Sequence, residues 1–138
     1  MSGESDLAKL LAGMRPELHA SSCLFCLVRP EQLKPGLQPV ATFREAEGLT
    51  LVLEKSEARR HGIEGIFESA WITLTVHSDL AAVGFLAVVA TALAKEGIPC
   101  NAIAAYHHDH LFVPVDRAQD ALAILTKLQK VESPRSDP

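Results

Sequence analysis

The spacing of apolar residues switches between helical and extended periods several times along the chain. Leu7, Leu10, Leu11 and Met14 recur at i, i+3, i+4 and i+7, which predicts an amphipathic helix. Ser5 or Asp6 can cap its start, and Pro16 with the residue before it ends it. Residues 18–28 are apolar at both parities, the pattern of a strand covered on both faces. Pro30, Pro35, Pro39 and Gly36 mark residues 29–39 as a loop. Residues 40–45 and 49–54 predict two strands joined by a tight turn at Ala46-Glu47-Gly48. A short helix over 56–61 follows, ended by Gly62.

The second half repeats this order with a long helix in place of the loop. Residues 71–77 alternate, with Ile72, Leu74 and Val76 on one face and Trp71, Thr73, Thr75 and His77 on the other. Ser78 or Asp79 caps a helix predicted to run to residue 96, with a stripe of Leu80, Val83, Leu86, Ala87, Ala90, Leu93 and Ala94. Gly97 ends it. Residues 99–106 and 110–115 predict strands around a turn at His107-His108-Asp109, and Ala118, Ala121, Leu122, Leu125 and Leu128 predict a final helix. The equivalent first strands lie about fifty residues apart, a period that fits an internal repeat. The first half has lost its long helix to the loop at 29–39, and the N-terminal helix is expected to cover the face so exposed. The fold predicted is α+β, with tandem units of the split βαβ, ferredoxin-like plan, antiparallel sheets and helices on one face.

Composition narrows the function classes. The 138 residues suffice for one ordinary domain or two very small units sharing a core. Hydrophobic residues make up 48% and charged residues 22%, a globular balance, and the net charge of −4 gives no reason to expect nucleic acid. No apolar run reaches membrane-spanning length, and the acidic start has neither the basic nor the apolar region of a signal peptide. A cytoplasmic location is therefore expected, where Cys23, Cys26 and Cys100 remain thiols. Cys23-Leu24-Phe25-Cys26 matches C-x-x-C, but it lies in an apolar strand and not at a helix start that would stabilise a thiolate.

Several runs carry a family resemblance. Val76-His77-Ser78, Ala82-Val83-Gly84, Gly97-Ile98-Pro99-Cys100-Asn101 and Tyr106-His107-His108-Asp109-His110-Leu111-Phe112-Val113 resemble the C-terminal part of small bacterial tandem ACT-domain proteins of unknown function. Phe43-Arg44-Glu45-Ala46-Glu47-Gly48-Leu49-Thr50 resembles their N-terminal part. The resemblance spans roughly residues 5–130 and is most specific over 106–113. It implies βαββαβ variants: a degenerate ACT-like unit with a leading helix at 1–65 and a complete unit at 66–131, while the polar tail at 132–138, with two prolines, is expected to be disordered. The second unit is also similar to ACT pairs of aspartokinase regulatory regions and eukaryotic arginine sensors. The resemblance implies a small carboxylated metabolite, foremost an amino acid, bound where units meet. It places that ligand against the start of the long helix and the strand that follows it.

The candidate binding residues are Ser78, Asp79, Val83, Gly84, Phe85, Asn101 and Ile103. Free N–H groups and the positive dipole end at a helix start suit a carboxylate. Gly84 would allow close approach, Asp79 would serve an ammonium group, and Asn101 offers both a donor and an acceptor. The bland alternative is ordinary capping, with Gly84 needed for helix-on-sheet packing. His77, His107, His108, His110 and Asp109 are chemically sufficient for zinc or nickel, but alternation splits them between faces, so a structural turn is expected and no metal or cofactor. Nothing pairs a nucleophile with a base, so no enzymatic activity is expected. The reading is an amino-acid-binding regulatory protein, a homo-oligomer and foremost a dimer. The alternative is a partner-binding module that dimerises through sheet edges without a small ligand.

Overall fold

The structure, a computed structural model, describes residues 3–132. The expected disordered tail, residues 132–138, lies outside the described residues apart from Glu132, whose backbone closes the last helix. The elements in order are α1 (Leu7–Ala12), β1 (Pro16–Val28), β2 (Ala41–Glu45), β3 (Gly48–Glu54), α2 (Lys55–Arg60), β4 (Ile66–Leu74), α3 (Phe85–Lys95), β5 (Asn101–Ala104), β6 (Asp109–Pro114) and α4 (Ala118–Glu132). Asp6 caps α1 by accepting the Lys9 N–H at 3.0 Å.

All six strands join one antiparallel sheet in the order β2-β3-β1-β4-β6-β5. The two halves of the chain thus share a sheet, and the pairing of β1 with β4 joins them. On one face, Ala70, Ile72 and Leu74 of β4 and Leu111 and Val113 of β6 pack on three helices, α1, α3 and α4. These contribute Leu10 and Leu11 from α1, Phe85, Val89 and Leu93 from α3, and Ala121 and Leu125 from α4. α2 covers the other end of this face, where Ala58 packs on Cys26, Val28, Leu51 and Leu53 with Leu37 and Ile63. α1 therefore covers the second half, and α2 with the Pro-rich loop covers the face left by the missing helix.

The opposite face has its own buried cluster. Cys23, Val52 and Phe112 form its centre, with Phe25, Val40, Ala41, Phe67, Trp71 and Ile103 packed on them. Val40 and Ala41 lie at one edge of the sheet and Ile103 at the other, so the sheet curls far enough for both edges to reach one cluster. Two register shifts between β1 and β4, at Leu18/Ser22 and Cys23/Phe25, supply the bend, since an extra residue in one strand increases the local twist. Phe67, at the second shift, has φ of 55°, a left-handed conformation uncommon outside glycine. Cys23 and Cys26 sit in clusters on opposite faces of β1 and both are free thiols. Burial pushes the Cys23 and Cys100 thiols up to about 11.

Two element boundaries differ most from the sequence reading. The long helix begins at Phe85, not at residues 78–79. Its N-cap, Gly84, has φ of 93°, which no interior helical residue can adopt, and residues 78–83 form turns before it. Leu80 and Val83, assigned to the apolar stripe, are 65% and 84% exposed. β4 begins at Ile66 because Ile66, Ser69 and Ala70 pair with β1, and Ser69 and Ala70 also with β6, through their backbone, a signal that side-chain alternation does not carry.

Phe112 carries the inner cluster, packing edge-on to Phe25 at 5.5 Å and stacking near Trp71 at 6.4 Å between ring centroids. Phe112→Ala is expected to cost about 3–5 kcal/mol of stability, measured as a lower urea midpoint with an unchanged slope.

Candidate functional site

Two local features position the segment that links β4 to α3. The first is a strap from the N-terminus: the Glu4 N–H donates to the His77 carbonyl at 2.8 Å, and the Asp79 N–H donates to the Glu4 carbonyl at 2.9 Å. A Cβ on Gly3 would lie 2.6 Å from the His77 carbonyl oxygen, so the approach requires glycine. The second is Asp79, whose Oδ1 accepts the Ala81 N–H at 2.8 Å and closes a turn. Asp79 therefore shapes the loop and does not cap the helix.

Ser78 is the hinge between this loop and the sheet. Its N–H donates to the His107 carbonyl at 3.2 Å, and its hydroxyl donates to Asp109 Oδ2 at 3.1 Å. Asp109 is 5% exposed, a carboxylate at the helix-facing parity of β6 alongside Leu111 and Val113. Burial raises its pKa above the usual aspartate value, and the Ser78 hydroxyl and the nearby His110 and His108 lower it in part. Ser78, Asp79, Phe85, Leu86, Ala104 and Asp109 line a cavity of about 90 Å³ between loop, α3 and sheet. The N-cap Gly84 has no side chain to cap α3, so the first N–H groups of this helix lack the usual side-chain acceptor.

The seven candidate residues do not converge. Ser78, Asp79 and Phe85 line the cavity, and the Phe85 side chain is part of the helix-side core. The Val83 side chain points to solvent. A Cβ on Gly84 would meet only Leu7 Cδ2, at 3.8 Å, so its left-handed φ and not close approach demands glycine. Asn101 and Ile103 pair with Phe112 and His110, which puts them on the inner face of the sheet. Asp109 and Ala104, which line the cavity, were missed. The signal for Asp109 was available: alternation from Leu111 and Val113 puts a carboxylate on the core side of a strand.

The histidine cluster is divided in the same way. Asp109 faces the helices and His110 the inner face, while His107 Nδ1 lies 3.2 Å from His77 Nε2 at the loop. Among the described residues, no three His, Cys, Asp or Glu side chains gather as a metal site, and no helix is long and apolar enough to cross a membrane.

Residues 2–70 match one family profile described as ACT domain and residues 66–127 match another, also described as ACT domain. A crystal structure of a Vibrio cholerae protein of unknown function, described as a possible transport protein, is 46% identical over 93% of this chain and 99% of that one, with a TM-score of 0.77. The regulatory subunit of aspartate kinase from Thermus flavus superposes with a TM-score of 0.62 at 10% identity, over 93% of this chain and 99% of that one. A protein from Agrobacterium tumefaciens gives 0.63 at 15% identity, over 83% and 87%. No curated protein matches the chain in sequence. The chain belongs to the ACT-domain family, with two such domains in tandem.

The raised pKa of Asp109 fixes the sign of a pH effect. A folded-state pKa above the unfolded value favours the folded state when the group is protonated, and that contribution is lost as pH rises through the folded pKa. Asp109→Asn, which keeps an acceptor for Ser78, is therefore expected to be more stable than the parent at neutral pH. The difference should vanish below about pH 4, where the unfolded aspartate is also protonated. Thermal unfolding of both proteins across this range measures it.

Proposed function

We propose that this tandem ACT protein is a non-catalytic regulator that binds a small amino acid in the Ser78–Asp109 cavity. The observation that carries the reading is a buried carboxylate facing the same cavity as an uncapped helix N-terminus. These two features complement the two ends of a zwitterion. The α-ammonium group would pair with Asp109, and the α-carboxylate would meet the first N–H groups of α3. Binding would bring a counter-charge to Asp109 and hold it ionised. The volume of about 90 Å³ suits a ligand with a small side chain. The structural likeness to aspartate kinase regulatory subunits supports a regulatory role.

The reading extends to assembly. β5 is an edge strand, and exposed Ala104 lies at the rim of the cavity. A second copy along this edge would cover the ligand, so that occupancy shifts a monomer–dimer equilibrium by its differential affinity for the two states. Homodimerisation without a ligand has a separate observation in its favour. Phe43, Leu27 and Ile66 are 71%, 57% and 75% exposed near one end of the inner face, and Phe43 and Leu27 flank Thr50 in one row across the sheet.

A thermal-shift panel of the twenty amino acids tests the proposal. A ligand at about 100 times its Kd adds roughly 2.7 kcal/mol, a shift of several degrees for a domain of this size. The expected result is a selective shift by a small amino acid that is absent in both Asp109→Asn and Ala104→Phe. A flat panel, accompanied by a concentration-dependent dimer in sedimentation, would favour assembly without a ligand.

A further inference from the structure

The curl of the sheet encloses a second cavity on the face away from Ser78 and Asp109. Its volume is about 130 Å³, and its walls come from both sheet edges: Val40 and Ala41 on one side, Ile103 and Ala105 on the other. Trp71, His110 and Phe112 complete it. No Asp, Glu, Lys or Arg side chain lines it, so this lining offers no carboxylate or ammonium partner for a zwitterion. A charged ligand would lose its hydration there without a compensating partner.

One polar group is held in a defined state at this cavity. The Trp71 Nε1–H donates to His110 Nδ1 at 3.0 Å. An indole nitrogen only donates, so Nδ1 must be the acceptor and the neutral ring carries its proton on Nε2. The Thr73 hydroxyl lies 2.9 Å from the same Nδ1 and 2.7 Å from His19 Nε2. His19 in turn stacks on Trp71 with ring centroids 3.5 Å apart. The imidazole is thus oriented by two groups, Trp71 and Thr73, that meet at one nitrogen, and His19 braces both of them. Its Nε2–H has no hydrogen-bond acceptor among the described residues. Burial, and the neighbouring His108 and His19, lower the His110 pKa and favour this neutral form.

From this geometry we propose that the inner cavity is a binding site for a neutral, single-ring or similarly sized apolar molecule carrying one hydrogen-bond acceptor, which would take the His110 Nε2–H. The size fits, since a dry apolar cavity of about 150 Å³ holds one benzene ring. The walls are aromatic and aliphatic, and the single donor would set the ligand's orientation. The site is independent of the amino-acid cavity: it lies on the other face and complements an uncharged molecule.

Trp71 is the only tryptophan in the chain, so its indole N–H gives one resolved cross-peak in a proton–nitrogen correlation spectrum and reports on the site directly. The full chain would be titrated with cyclohexanone, which is neutral with one acceptor, and separately with cyclohexanecarboxylate. The expected result is a saturable shift of the Trp71 indole peak with cyclohexanone and a much weaker response to the carboxylate. Ala105→Leu should weaken the response roughly tenfold, about 1.4 kcal/mol. Val40→Phe fills the cavity from the opposite edge and serves if the first variant does not fold. Three outcomes would overturn the proposal: no saturable shift up to the solubility of cyclohexanone, an equal or stronger response to the carboxylate, or an undiminished response in a folded, cavity-filled variant.

Discussion

The constraint behind this structure is that a single six-stranded sheet has to keep both of its faces from water, with four α-helices among the described residues to do so. Those helices lie on one face. The other face is covered by the sheet itself, which bends until Val40 and Ala41 at one edge and Ile103 at the other rest on Phe112. The two shifts of register between β1 and β4 are therefore essential to stability, because a flatter sheet would expose the rings of Phe25, Phe67, Trp71 and Phe112. Burial of aromatic rings of this size is among the larger contributions available to a chain of 138 residues.

Much of this could be read in advance where side chains report their surroundings directly. The apolar run at both parities of residues 18–28 belongs to β1, which does have a cluster on each face. The expected α+β, ferredoxin-like plan is the one observed, and the ACT resemblance holds for both halves. What could not be read depends on pairing and backbone conformation. That the two halves share one sheet follows from the β1–β4 register, which no local period encodes. The late start of α3 follows from the left-handed Gly84, since the apolar Leu80 and Val83 extend the helical pattern past the true boundary.

The candidate site was legible in part for the same reason. Ser78, Asp79 and Phe85 border a cavity because they flank the loop before α3, a position readable from order alone. Asn101 and Ile103 lie on the other face of the sheet from that cavity, because strand parity, and not proximity in sequence to the helix, decides where they point. Asp109 shows the value of treating parity as chemistry, because a carboxylate in phase with core leucine and valine is buried and needs a partner, here the Ser78 hydroxyl. Here its neighbour His110 faces the opposite side of the same strand. Two successive residues of β6 thus border two chemically unlike cavities, one with a buried acid and one with a neutral donor.

β1 runs for 13 residues and is flanked by β3 from the first half and β4 from the second. The two halves are therefore not divisible at their junction. A fragment ending near residue 65 would leave the side of β1 that pairs with β4 bare, and the complementary fragment would leave β4 bare on its β1 side, each an invitation to pair with foreign strands. The seam between the two ACT domains, the pairing of β1 with β4, is the middle of the sheet.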